Sequence, residues 1–250
     1  MMKILADYHT HTTYSHGKNS VFENATAAKR MGLKEIAITD HGFNHFTYGI
    51  KRKYVESIKR DVTKAEDDAL RVYFGIEANF TGIDASIDLR KDEIEMFDLI
   101  IVGYHKAVTA ESFKSTRKFI WRNNISKIFR PSKALVKMNT EIVTKVLRKY
   151  PVDIFSHPCL TMKVDMKEVA EVAAELGTYI ELNGKRESMT DEEVEKVLET
   201  NAVFIINSDA HSKERIGEVS IPMAQAERVG IPVERIANIG RLPVFKRIKR

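Results

Sequence analysis

An α/β protein built as an irregular (β/α) barrel of seven parallel strands is the fold class that three observations predict. Seven short apolar runs alternate with amphipathic helical stretches, the pattern of buried parallel strands joined by crossover helices. No Pro/Gly/Ser linker or low-complexity tract interrupts them. Six of the runs end in His, Glu or Asp; an open doubly wound sheet uses mainly its switch point, whereas a barrel presents a ring of strand ends.

In chain order the predicted strands are residues 3–9, 35–41, 71–77, 97–105, 152–158, 178–184 and 203–211. Between the first two, Ser20 and Glu23 form a capping box that opens a helix with Val21, Ala25, Ala28 and Met31 on one face, closed by Gly32. Residues 52–69 and 132–149 read as further helices. Asp165 with Glu168 starts another, whose apolar face is Met166, Val169, Ala170, Ala173 and Leu176, with Gly177 at a left-handed stop. Thr190 and Glu193 make a second capping box. These elements predict a single domain over residues 1–250.

A chain 43% apolar and 30% charged can bury a large core, which excludes general disorder. No apolar run approaches the roughly 18 residues of a membrane span, and the start, Met1-Met2-Lys3-Ile4-Leu5, has no signal-type segment. A cytoplasmic protein is expected. The single cysteine, Cys159, forms no internal disulfide and reads as a small buried apolar residue; any metal site is left to His, Asp and Glu. The net charge of +5 is uneven: residues 113–133 hold seven Lys/Arg and residues 235–250 hold six, neither with an acid. The rest of the chain is acidic and would repel a long polyanion.

Position along the strands makes the polar residues informative. His9 and His11 are two apart at the end of the first strand, so both rings face one side. His16 follows in the loop; His41, Glu77, His105 and His157 end the next four strands, and Asp209 and His211 end the last. Of the eight histidines only His45 falls outside a strand end or its first loop. Imidazole and carboxylate suit zinc, manganese or iron, and one ion rarely takes more than four protein ligands. Nine candidates therefore imply two or three metals. Glu77, with two oxygens, is the natural bridge. Two ions about 3.5–4 Å apart suit in-line displacement at phosphorus.

Asp7-Tyr8-His9-Thr10-His11 with Ser15-His16, Thr39-Asp40-His41, Gly75-Ile76-Glu77, Ser156-His157-Pro158 and Ser208-Asp209-Ala210-His211 resemble the motifs of the PHP (polymerase and histidinol phosphatase) family, most of all its stand-alone bacterial phosphatases. The resemblance implies a distorted seven-stranded, TIM-like barrel with three divalent ions, zinc first and manganese or iron as alternatives. It implies His9, His11, Glu77 and Asp209 around the first ion, Glu77, His105 and His157 around the second, and His16, His41 and His211 around the third. Glu77, Asp209 and Asp40 are the candidate catalytic residues, Asp40 as a group that orients water or a neighbouring histidine. Lys106, Lys185, Arg186 and Arg215 are candidates for holding phosphate oxygens. Asn183 is a candidate substrate contact or loop cap.

The function expected is hydrolysis of a small phosphomonoester by a metal-bridging hydroxide; histidinol phosphate is one member of that class. A 3'–5' exonuclease-like nuclease acting on single-stranded nucleic acid and a non-catalytic scaffold are the alternatives. The basic residues 109–133, with Phe119, Trp121 and Phe129, read as a lid-like insertion over an anionic substrate, with nucleic-acid stacking as the lesser reading. The basic C-terminal tail reads as a solvated end.

Overall fold

The computed structural model describes residues 3–110, 112–126 and 130–248. Seven parallel strands stand in sequence order, each paired to the next: β1 (Ala6–Asp7), β2 (Glu35–Ile38), β3 (Arg71–Asn79), β4 (Leu99–Gly103), β5 (Ile154–Phe155), β6 (Tyr179–Asn183) and β7 (Phe204–Asn207). β7 meets β1 through a parallel bridge of Thr10 and Ala210, where the His11 N–H donates to the Ala210 carbonyl at 2.8 Å. Below it the Asn238 side chain fills the seam: its amide donates to the carbonyls of Ala6 and Ile206, and its oxygen accepts the Ile206 N–H. The sheet is thereby a nearly closed barrel.

The helices α1 (Val21–Met31), α2 (Val55–Ala65), α3 (Phe113–Ser115), α4 (Arg122–Ile125), α5 (Lys133–Lys149), α6 (Met166–Leu176), α7 (Asp191–Leu198) and α8 (Ser220–Val229) complete the chain. Both capping boxes form, Asp165 caps α6, and Gly32 and Gly177 stop their helices at φ 74° and 65°. The helix expected over 52–69 ends at Ala65, because the Asp67 carboxylate accepts the N–H groups of Ala69 and Leu70 and turns the chain. The expected strands 3–9 and 152–158 shrink to two residues each. In β1 the Tyr8 N–H goes to the Asn207 side chain instead of a ladder; after β5 the backbone turns left-handed at His157, φ 29°.

Alternation along the strands divides the core. Ile36, Ile38, Val72, Phe74, Ile76, Ile100, Val102, Ile180, Leu182, Phe204 and Ile206 pack outward in the large cluster under the helices. Ala6, Tyr8, Ala37, Tyr73, Leu99, Ile101, Ile154 and Ile205 form a second, smaller cluster within the barrel. That cluster includes Phe245, which is buried and packs edge-on against Tyr8 and Tyr179. Arg247 donates to the carbonyls of Ile94 and Phe97. The basic tail is therefore a plug at the amino end of the barrel through residue 248, not a solvated end; its aromatic and its guanidinium both find buried partners.

The basic segment also departs from expectation. α3 and α4 are joined by a π-helical turn, Thr116–Trp121, so its described part is a packed helix. Phe119 is fully buried edge-on against Tyr104, whose hydroxyl donates to the Ile120 carbonyl. Asn123 and Asn139 exchange amide hydrogen bonds that tie the segment to α5. Trp121 is exposed; Phe129 lies outside the described residues.

Candidate metal centre

The strand ends bring the nine expected residues into one cluster around Glu77. On β3, Glu77 is inward-facing and fully buried. Its Oε1 lies 2.7 Å from His157 Nε2, 3.2 Å from His9 Nε2 and 3.4 Å from His105 Nε2. Its Oε2 lies 2.9 Å from His41 Nδ1 and 3.7 Å from His11 Nε2. Asp209 Oδ1 stands 3.4 Å from His11 Nε2 and from His211 Nδ1. Room for this convergence comes from Gly103 at the end of β4. A Cβ there would sit 2.4 Å from Ser156 Oγ and 2.7 Å from His157 Cε1, closer than real contacts allow, and a tight 3.1 Å from Glu77 Oε1.

Three groups have ligand atoms near enough to share an ion: His11, His16, His41 and His211; His9, His11 and Asp209; His41, Glu77 and His105. His11 and His41 each belong to two groups, whereas the sets that the resemblance implied share only Glu77. The metals fit this cluster on a second ground. Among the described residues, eight buried side-chain atoms lack a hydrogen-bond partner, and six are in this cluster: His9 Nε2, both nitrogens of His11, His16 Nδ1, His41 Nδ1 and Glu77 Oε2. Buried polar atoms left unpaired cost free energy, and a divalent cation satisfies lone pairs of this kind.

The charges are strongly coupled. Burial alone would push the carboxyls of Glu77 and Asp209 up, but surrounding histidines hold both well below the usual range. Burial holds His11 and His105 well below the ordinary histidine value and brings His16 to about 3, so these rings stay neutral and keep lone pairs for a cation. His9 and His157 move the other way. Burial opposes their charge, but for His9 the carboxylates of Glu181, Glu77 and Asp209 outweigh it, and for His157 the bond to Glu77 does. Backbone strain gathers here too: among the described residues four that are not glycine have positive φ, and His157 and Asp209 are two of them, at 29° and 51°.

Glu181, on β6, has no part in the expected site and stands directly behind it. Its Oε1 lies 2.8 Å from His9 Nδ1 and accepts the Asn207 amide; its Oε2 accepts the His157 backbone N–H at 2.8 Å and the Asn183 amide at 2.9 Å. One carboxylate thus fixes the His9 ring, with its Nε2 toward Glu77, and holds the strained His157 backbone. Asn183 serves this network. The signal was present in sequence as Glu181 and Asn183 two apart on an inward face. Asp40, in turn, accepts the Thr12 N–H and hydroxyl at 2.7 and 2.5 Å and stands 3.9 Å from His11 Nδ1. Burial pushes it up to about 7. It braces the His11 loop and does not line the cavity.

The cavity above the cluster holds about 280 Å3 and is lined by His16, His41, His45, Tyr48, Tyr104, His105, His157, Asp209 and His211 together with Lys106, Leu160, Thr161, Lys185 and Arg186. Small-molecule sites start near 300 Å3. Of the four cations proposed to meet phosphate, Lys106, Lys185 and Arg186 line this cavity. Arg215 does not: its guanidinium donates to the Gly184 carbonyl and braces the loop after β6. His45, set aside in the sequence, is buried in the wall, stacked on His41 with its Nδ1 accepting the Tyr48 N–H. Among the described residues none from 112–126 lines this cavity; the basic helix packs Phe119 against Tyr104, which does line it.

The sequence profile of the PHP domain family matches residues 7–209. The chain belongs to this family. A probable phosphatase of Shewanella piezotolerans is 27% identical over 252 residues, covering 95% of this chain and 90% of that protein; one from Caldanaerobacter subterraneus is 27% identical over 247 residues, with 95% and 88% covered. In fold, the chain resembles the histidinol phosphate phosphatase of Lactococcus lactis, solved with zinc, L-histidinol and phosphate: TM-score 0.58, 13% identity, 91% of this chain and 94% of that one. Within the PHP family, then, this protein is a hydrolase of the metal-dependent phosphatase type.

Proposed function

We propose that the protein hydrolyses a small phosphomonoester at a centre of up to three divalent ions, zinc or otherwise manganese or iron. The observation that carries this reading is the convergence of six unpaired buried atoms on the space beside Glu77. His9, His11, Asp209 and Glu77 would hold one ion, Glu77, His105, His157 and His41 a second, and His11, His16, His41 and His211 a third. Bound there, such ions supply Lewis-acid stabilisation of phosphoryl oxygens and activate water near neutral pH. Glu77 and Asp209 provide the anionic charge that retains cations, and Glu181 fixes the His9 tautomer. Lys185, whose Nζ stands 3.4 Å from both His211 ring nitrogens, is placed to meet an oxygen of the phosphate. The cavity's size favours a small ester over an oligonucleotide, and the fully buried Phe119 is withdrawn from any stacking track.

Elemental analysis of purified protein should find two or three transition metals per chain. Phosphomonoesters should be cleaved at least about a hundredfold better in kcat/KM than single-stranded oligonucleotides, about 2.7 kcal/mol in transition-state terms. Release of mononucleotides from DNA with little turnover of simple monophosphates would replace this reading with the nuclease.

A further inference from the structure

The mouth of the cavity has an uneven charge. Two loops contribute its exposed cations, Lys106 after β4 and Lys185 with Arg186 after β6, and these flank Leu160 and Thr161 from the loop between them. Lys185 reaches the histidine floor. Lys106 and Arg186 are left over: among the described residues neither side chain has a hydrogen-bond or ion-pair partner. Among the described residues the only carboxylate lining the cavity is Asp209, already engaged with His11 and His211. An ammonium group on the substrate would therefore find no acid to receive it, and would face two cations near enough to repel it inside one Debye length.

We infer that the natural substrate carries a second anionic group, a carboxylate or another phosphate, seated on the arc of Lys106 and Arg186 while the phosphate being hydrolysed lies on the histidine floor. This rests on the phosphomonoester reading and specifies the rest of the molecule. An amino-alcohol phosphate, whose tail is cationic, is the wrong class for this mouth. A short chain between the two anions suits the small cavity, with Leu160 beneath it.

The test is a three-carbon series that differs only in the far group: propyl phosphate, 3-aminopropyl phosphate, 3-phosphooxypropanoate and propane-1,3-diyl bisphosphate. With metal-loaded protein, kcat/KM should rise from the cationic through the neutral to the anionic tails, with at least about tenfold between neutral and anionic, a difference of about 1.4 kcal/mol. That gradient should shrink in high salt and flatten toward unity in Lys106→Gln/Arg186→Gln. Binding of the matching non-hydrolysable phosphonates, measured by calorimetry, should follow the same order. Equal binding of all tails, or preference for the amine, overturns the inference while leaving the phosphatase intact. Failure to hydrolyse any member overturns the phosphatase reading instead, and the calorimetric order still decides whether the cationic arc selects a second anion.

Discussion

The two mouths of this barrel both hold buried carboxylates and treat them in opposite ways. At the amino end the buried Glu35 accepts the hydroxyls of Tyr8 and Tyr73 and the buried Asp153 accepts the Ile100 N–H, and Phe245 closes the opening. At the carboxyl end six buried atoms have no hydrogen-bond partner, and two backbone residues sit in left-handed conformations. Burial by itself does not mark a functional group; a cluster of buried atoms that make no hydrogen bond does, whereas among the described residues the plug at the amino end leaves a single such atom, Arg247 Nε. The first mouth holds the protein together, and the second holds free energy in reserve for a ligand.

This contrast can be broken by one substitution at each end. Glu77→Gln should lower kcat/KM by roughly a thousandfold or more and reduce bound metal, with a loss of only a few degrees in melting temperature for the metal-stripped protein, where the amide keeps the shape but removes the anion among the histidines. A large loss of melting temperature in the stripped variant would make Glu77 structural. His16→Ala should lose less metal than Glu77→Gln, because His16 joins one ligand group. Phe245→Ala should do the converse. Emptying that plug should destabilise the fold by about 3 kcal/mol, or about 6–12 °C in a domain of this size. The activity of the molecules that remain folded should be unchanged.

Glu181 is the residue at which the two behaviours meet, since it is fully bonded yet touches the centre. Glu181→Gln keeps the shape and one acceptor oxygen but removes the charge that orients His9. Metal affinity, read by chelator competition, should fall about 10- to 100-fold, with a smaller loss in melting temperature of the metal-free protein. An unchanged affinity would reduce Glu181 to packing.

Much of this was legible in sequence. Parallel strands show as apolar runs, and caps at Ser20, Asp165 and Thr190 depend only on neighbours three residues away. The strand-end histidines could be placed because each strand has a known direction. What could not be read depends on contacts distant in sequence. His45 enters the wall only because its loop folds back over His41. Arg215 leaves the phosphate site because Gly184 offers a carbonyl from another loop. Phe119 and Phe245 looked like exposed aromatics among cations, since nothing local shows that Tyr104 and the open end of the barrel await them.

The smallest expected effect sharpens the account of the amino end. Asp153 sits at the foot of β5, and burial pushes its carboxyl up to about 7, against the Ile100 N–H bond and the positive charge of Arg247 and Lys246. The folded state therefore keeps a proton there that the unfolded chain releases near pH 4. As pH rises from about 4 to 7 the unfolded state gains in relative stability, and above pH 7 the full cost of a buried carboxylate is present. With each pKa unit worth about 1.4 kcal/mol, that cost is at most about 4 kcal/mol. Asparagine has the same shape and still accepts the Ile100 N–H, but it adds a second amide hydrogen, and an unpaired buried donor costs about 1–3 kcal/mol. The two terms have opposite pH behaviour. Asp153→Asn should melt a few degrees below wild type at pH 4.5, where the acid is already protonated, and a few degrees above it at pH 8. The crossover is the decisive reading, because other titrating groups are common to both proteins and cancel in the difference. Parallel melting curves across that range would show that Asp153 keeps its charge in the folded state, paired with Arg247 or Lys246 of the plug.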